Sequence, residues 1–243
     1  GFLPTDNISK IISTNFQKVI FIFSLLISLL NFYLIFNLFN KKILIKDHKE
    51  DTYLIITAVI FFILIYFNEY TGLDTAISIL SSLTNSGLTL VKSDNDLSLY
   101  FLLLTIIGGS LISNTSGIKL TRFYILLKIT SLEIIKLISP NSVINKTIFN
   151  SDKKITDENV KISFLIFISF FLSLFILSSL LAIDNIGFEK SFKLSILTLT
   201  NTLNSEMFDM NNINFSNLLT SSKISLILFM IIGKIELISI FLI

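Results

Sequence analysis

Apolar residues along this chain come in blocks too continuous for the surface helices of a soluble domain. Residues 19–39, 162–183 and 224–243 are almost wholly apolar. At about 1.5 Å rise per residue each reaches roughly 30 Å, the thickness of a bilayer core. A fourth block, 54–67, is shorter, and its flanking Tyr53 and Tyr70 suit a tilted or locally thinned crossing anchored at the interface. A fifth, 97–113, runs into the glycine-rich stretch TIIGGSLISNTSGIKLTR at 105–122. Two further apolar segments, 75–83 and 191–199, are too short to span and fit half-helices that enter the membrane and return. The stretches GLDTAISILSSLTNSG from Gly72 and GFEKSFKLSILTLTNTL from Gly187 each open on glycine, an apolar residue and an acid, and each reaches Leu-Thr-Asn. They read as two copies of one unit: span, re-entrant half-helix, polar turn, span. The expectation is an all-α polytopic membrane protein built of span–pore-loop–span repeats, with about five transmembrane helices and two re-entrant half-helices.

The same pattern divides the chain. Residues 1–39 read as the end of one repeat, 40–52 as a connection, 53–138 as a full repeat, 139–161 as a linker and 162–243 as a second full repeat. Only 15% of residues are charged against 52% hydrophobic, far below the charge of a soluble domain. The basic residues set the orientation. Four lysines lie in 40–51 and eight of the nineteen basic residues in 119–161, whereas 1–18, 68–98 and 184–222 carry two, one and two. By the positive-inside rule the first two connections are cytoplasmic and the re-entrant segments enter from outside. No cysteine is present, so disulfides and thiolate metal sites are excluded, and the single histidine, His48, falls in the lysine-rich connection. A net charge of +2 without a basic patch argues against nucleic acid. No Ser/His, paired-carboxylate or Cys/His arrangement lies within the spans, so an enzyme is not expected and no cofactor is implied. The first residue is Gly1 with no charged n-region ahead of the first apolar run, which reads as a fragment without a signal peptide.

Irregular backbone at membrane depth is tolerated only where it is buried in protein or lines a watery cavity. The turns Thr84, Asn85, Ser86, Gly87 and Thr200, Asn201, Thr202, Leu203 are therefore expected to line an ion path. A half-helix ending at such a turn places its negative dipole end there, and exposed carbonyls can replace a cation's hydration shell. Gly87 would permit the positive φ that aims carbonyls inward. The bland reading is that both are solvated outer loops.

These residues resemble the Trk/Ktr/HKT superfamily of potassium uptake proteins, most closely the second half of the bacterial Trk-type pore subunit. Gly108, Gly109, Ser113, Gly117, Ile118, Lys119 and Arg122 match the motif that follows that family's third pore loop, and 126–143 resembles the cytoplasmic stretch after it. GKIE at 233–236 is similar to the last-helix Gly-Arg-Leu-Glu, with Lys234 for arginine. Gly1 and Phe2 resemble the tail of the second pore loop. The resemblance implies a K+ path held by backbone carbonyls of Gly1, Thr84–Gly87 and Thr200–Leu203. It also implies a gate loop formed by Gly108, Gly109, Ser110, Ser113, Asn114, Thr115, Ser116, Gly117 and Lys119, and a pore barrier at Lys234. Leu203, or Met207 in a shifted alignment, stands where a fourth filter glycine is expected. For the gate, the competing reading is a helix-packing seam of small residues. For Lys234 it is a structural ion pair, and Glu236 two residues on cannot face it.

Residues 120–138 alternate apolar and charged positions as an interfacial amphipathic helix would. By resemblance the protein sits in the bacterial inner membrane, transports the potassium ion, forms a homodimer and binds a cytoplasmic nucleotide-binding regulatory subunit. The alternatives are a non-transporting scaffold or sensor built on a degenerate pore, and a sodium-permeable member of the same family.

Overall fold

The longest apolar block forms an uninterrupted helix, α7 (Asp157–Ile183), capped by Thr156, whose hydroxyl accepts from Asn159 N at 3.2 Å. Asp157 and Glu158 complement the positive end of its dipole. The computed structural model describes residues 11–39, 49–67, 72–88, 90, 95–139, 146–149, 151, 153–184, 186–202 and 218–234. Before α7 come α1 (Asn15–Leu29), α2 (Phe32–Phe39), α3 (Lys49–Tyr66), α4 (Gly72–Leu83), α5 (Asn95–Ile106), β1 (Ile107–Gly108), β2 (Ile118–Lys119) and α6 (Leu120–Ile138). After it come α8 (Phe188–Leu199) and α9 (Thr220–Ile232).

Helices dominate, as the apolar pattern predicts. Only α7, among the described residues, is by itself long and apolar enough to cross a bilayer. Just 22% of its apolar window is buried inside the protein, whereas the core helix of a soluble domain would be mostly buried. Phe164, Leu165, Leu172, Phe175 and Ile176 face outward, as do Ile55, Val59, Ile60 and Ile63 of α3. Such apolar outward faces suit lipid.

The two short segments form helices of equal length, α4 and α8, starting three residues earlier than the apolar stretches at 75 and 191. Their C-terminal halves are buried throughout, with Leu83, Leu194 and Leu197 fully inaccessible. Each is ringed by neighbours: α4 by α1, α3 and α5, and α8 by α5, α7 and α9. The helix before each unit thus packs on the half-helix of the next, α1 on α4 and α5 on α8. Hydroxyls buried in this setting bond back to the helix itself. Ser82 Oγ reaches Ser78 O at 2.8 Å, Ser195 Oγ reaches Ser191 O at 2.7 Å and Thr198 Oγ1 reaches Leu194 O at 2.6 Å. The acid that opens each unit also has a structural role at a helix start. Asp74 pairs with Lys18 of α1 at 2.6 Å, and Glu189 pairs with Lys193 one turn on at 2.7 Å.

Both half-helices end in the same way. Asn85 N donates to Ser82 O at 3.2 Å and Ser86 N to Ser81 O at 3.1 Å; Asn201 N donates to Thr198 O at 3.1 Å and Thr202 N to Leu197 O at 2.9 Å. This pair of bonds defines a Schellman cap, which requires a left-handed residue directly after the last helical turn. Asn85 and Asn201 supply it, each at φ 56°. Asparagine is among the few side-chain-bearing residues that adopt this conformation readily, which explains the repeated Leu-Thr-Asn. Replacing Asn85 by valine is expected to cost about 1–2 kcal/mol, because a β-branched residue is strained at positive φ, whereas Asn85→Gly stays near wild type. Thermal unfolding in detergent of the two variants checks the order.

Candidate functional site

The glycine-rich stretch is where α5 stops being a helix. Residues 107–108 and 118–119 pair as a short parallel ladder, Ile107 with Ile118 and Gly108 with Lys119, and close the neck of a loop at 109–117. The chain then resumes as α6. The two strands take the place of helical turns, so the peptide groups of the loop need other partners. Gly109 N donates to Thr115 Oγ1 at 2.8 Å, Leu120 N to Gly109 O at 3.3 Å and Leu111 N to the Glu50 carboxylate at 2.8 Å. Gly117 is required by its conformation: its φ is 79°, and a Cβ there would sit 2.9 Å from the carbonyl oxygens of both Thr105 and Ile106. At Gly109 the constraint is close approach, since a Cβ would lie 2.8 Å from Leu29 O and from the Ser113 and Thr115 hydroxyls.

Leu29 lies in the apolar block at 19–39, and there the structure departs from the sequence pattern. The block at 19–39 is two helices, α1 and α2, separated by Leu30 and Asn31, where a single crossing is expected. Leu30 is extended at ψ 161°. Asn31 restarts the helix, its side-chain oxygen accepting from Tyr33 N at 2.9 Å. The groups freed by this break meet those freed by the loop: Ser110 N donates to Leu29 O at 3.3 Å and Phe32 N to Ile112 O at 2.9 Å. Two acids from the start of α3 seal the junction. Asp51, 2% exposed, accepts from Asn31 N at 2.8 Å, and Glu50 accepts from Leu111 N and from the Thr121 hydroxyl. Glu50 therefore ties the loop to the first turn of α6.

The expected gate residues lie together. Gly108, Gly109, Ser110, Ser113, Thr115, Ser116, Gly117 and Lys119 are buried, and Asn114 is exposed at the tip. Of the expected filter residues, Thr84, Asn85, Thr200 and Thr202 are buried, while Ser86, Gly87 and Asn201 are half-buried. Gly87 has φ 67°, the conformation expected of it. Ser81 ties the outgoing chain to α4, its hydroxyl lying 2.9 Å from Ser86 Oγ and accepting from Leu88 N at 2.7 Å. In the other turn Leu197 holds the matching position, and Thr200 and Thr202 bond to each other at 2.6 Å. Turn and loop meet behind α4, where a Cβ on Gly117 would lie 3.3 Å from Asn85 Nδ2. Behind α8, Asn201 Nδ2 donates to Met230 O of α9 at 3.2 Å, and Gly233 packs so closely on Leu199 O that a side chain would collide. Lys234 follows at the end of α9, exposed. Gly1, Leu203, Met207, Glu236, Tyr70 and His48 lie outside the described residues.

Sequence reasoning missed Asn31, Glu50 and Asp51. Two adjacent acids heading an apolar block, in a connection otherwise rich in lysine, were the available signal. Below the loop, on the side of the basic connections, a cavity of about 450 Å³ is lined in part by Lys49, Glu50, Leu111, Ile112, Arg122 and Lys153. Ile148, Phe149, Ser151 and Lys153 line one flank, with Phe149 stacked on Tyr124 at 4.3 Å and tilted against Tyr53 at 4.9 Å. Glu50→Ala would strip Leu111 N and Thr121 of their shared acceptor at a cost of about 1–3 kcal/mol. Hydrogen exchange at the Leu111 amide should accelerate, and Glu50→Gln should lie between wild type and alanine. Unchanged exchange in Glu50→Ala would show that Glu50 does not clamp the loop.

No protein-family model matches the sequence. An uncharacterized cation transporter of Methanocaldococcus jannaschii is 31% identical over 102 residues, which cover 41% of this chain and 22% of that protein. Among solved structures, the potassium transporter TrkH from Vibrio parahaemolyticus superposes with a TM-score of 0.80 at 20% identity, covering 93% of this chain and 51% of that one. The chain thus spans about half the length of that transporter and little more than a fifth of the archaeal relative is matched. Apolar composition, outward-facing apolar helices and this likeness together give a membrane protein with the all-helical fold of about half of TrkH.

Proposed function

We propose that this chain forms half of the ion path of a potassium-uptake transporter. The carrying observation is the repetition, bond for bond, of a buried half-helix ending in a left-handed Asn cap, with a glycine-rich helix interruption against one of the two turns. Each half-helix directs the negative end of its dipole towards its turn. Carbonyls of Thr84–Gly87 and of 200–203, with Gly1 from the preceding repeat, hold a dehydrated K+ in place of water. The loop at 108–119 then acts as the gate beneath this filter, and Lys234 adds a positive barrier on the last helix. The reading draws on the names of the similar proteins, both cation transporters. Transport, not catalysis, is the activity, and the bacterial inner membrane is the location. A homodimer and a cytoplasmic nucleotide-binding regulatory subunit are the proposed partners.

A sodium-permeable pore is the second reading, favoured by Leu203 where a fourth filter glycine is expected. The full-length gene is expected to restore growth at low potassium to a bacterium lacking its own uptake systems, and Gly87→Ser to abolish the rescue. A protein that reaches the membrane and never rescues would overturn potassium uptake. Flux of Rb+ against Na+ in liposomes separates the two readings.

A further inference from the structure

Lys119 is the largest fully buried side chain among the described residues, 1% exposed, and it lies at the neck of the loop. A buried ammonium is tolerated only when its three N–H donors are met by well-placed acceptors. Among the described residues, four oxygens lie within hydrogen-bond reach of it. Lys119 Nζ lies 2.6 Å from Thr115 O, 3.0 Å from Thr115 Oγ1 and 3.3 Å from both Ser113 O and Ser113 Oγ. The hydroxyl protons can be assigned. Ser113 Oγ donates to Ser110 O at 2.8 Å, so in its 2.8 Å contact with Thr115 Oγ1 the threonine is the donor. Thr115 Oγ1 in turn accepts from Gly109 N. Both hydroxyls therefore turn lone pairs, not protons, towards Nζ. Two carbonyls and two hydroxyls presenting only lone pairs to one positive charge form the donor set of a dehydrated monovalent cation, and ammonium and K+ share that charge and are close in size.

We propose that Lys119 is a tethered cation: its ammonium fills a four-oxygen cage inside the 108–119 loop that would otherwise bind a free monovalent cation, and by filling it holds the loop closed. The cage stands on the contacts alone, whereas its gating role rests on the uptake reading. Removing the ammonium leaves four oxygens facing one another, which favours either entry of a cation or rearrangement of the loop. The carboxyl group of Glu50 lies within electrostatic reach of Lys119 at the same junction. Lys119 is a positioning residue, since it acts through the loop it folds.

The experiment uses the full-length gene product in detergent and in liposomes. Lys119→Ala should lower the unfolding temperature, and methylammonium or Rb+ at millimolar concentration should restore it, while choline does not and wild type responds to neither. In liposomes Lys119→Ala should raise Rb+ flux by about tenfold, the scale set by removing one unit charge near an ion's path, because an untethered Rb+ enters and leaves the cage whereas the lysine ammonium cannot, and methylammonium, a bulkier occupant that does not pass on, should suppress the increase. Lys119→Met, which keeps the bulk and loses the charge, should raise flux without rescue because its own side chain blocks the cage. Failure of methylammonium and Rb+ to stabilise Lys119→Ala overturns the cage. Flux unchanged or reduced in both variants, with wild type conducting, overturns the gating role. If wild type carries no flux, the uptake reading fails, and the stability assay still decides the cage.

Discussion

A peptide group removed from its helix in apolar surroundings must find another partner, and this constraint organises the centre of the molecule. Two helices are interrupted, one between α1 and α2 and one after α5. Each interruption frees N–H and C=O groups at a depth where water is not the default partner. The structure brings the interruptions together, so that Ser110 N meets Leu29 O and Phe32 N meets Ile112 O. What the pair cannot supply comes from side chains: Asp51 for Asn31 N, Glu50 for Leu111 N and Thr115 for Gly109 N. Neither break would be satisfied in the same way if the other helix ran straight through.

The two half-helices answer the same constraint at their C-termini. A buried helix end exposes carbonyls and needs a chain reversal that bonds them, and a left-handed asparagine provides it twice. Beyond the cap the repeats diverge. Asn201 extends its amide to α9, while Asn85 faces Gly117 of the loop that interrupts the helix after α5. Duplication of the capped half-helix with divergence of what lies behind it sets one turn against a helix and the other against a loop.

Much of this was legible in the residues. Long apolar blocks announced the helices, the recurring Leu-Thr-Asn announced the paired turns, and Gly108, Gly109 and Gly117 among hydroxyl residues announced an interruption. The break at Leu30 and Asn31 was not legible. A lone asparagine in an apolar run is equally compatible with a continuous helix, and what selects the break is the loop that receives its peptide groups. Glu50 and Asp51 carried no such sign, because nothing local ties them to residues sixty or twenty positions away.

The sequence by itself determined that the chain is helical, apolar and internally repeated, because helix length, hydrophobicity and a residue able to take positive φ are properties of short stretches. Only the tertiary structure decided which interruptions pair, which acids seal them and what encloses the Lys119 ammonium. Those outcomes depend on hydrogen-bond partners supplied from other helices, and no local pattern encodes a partner.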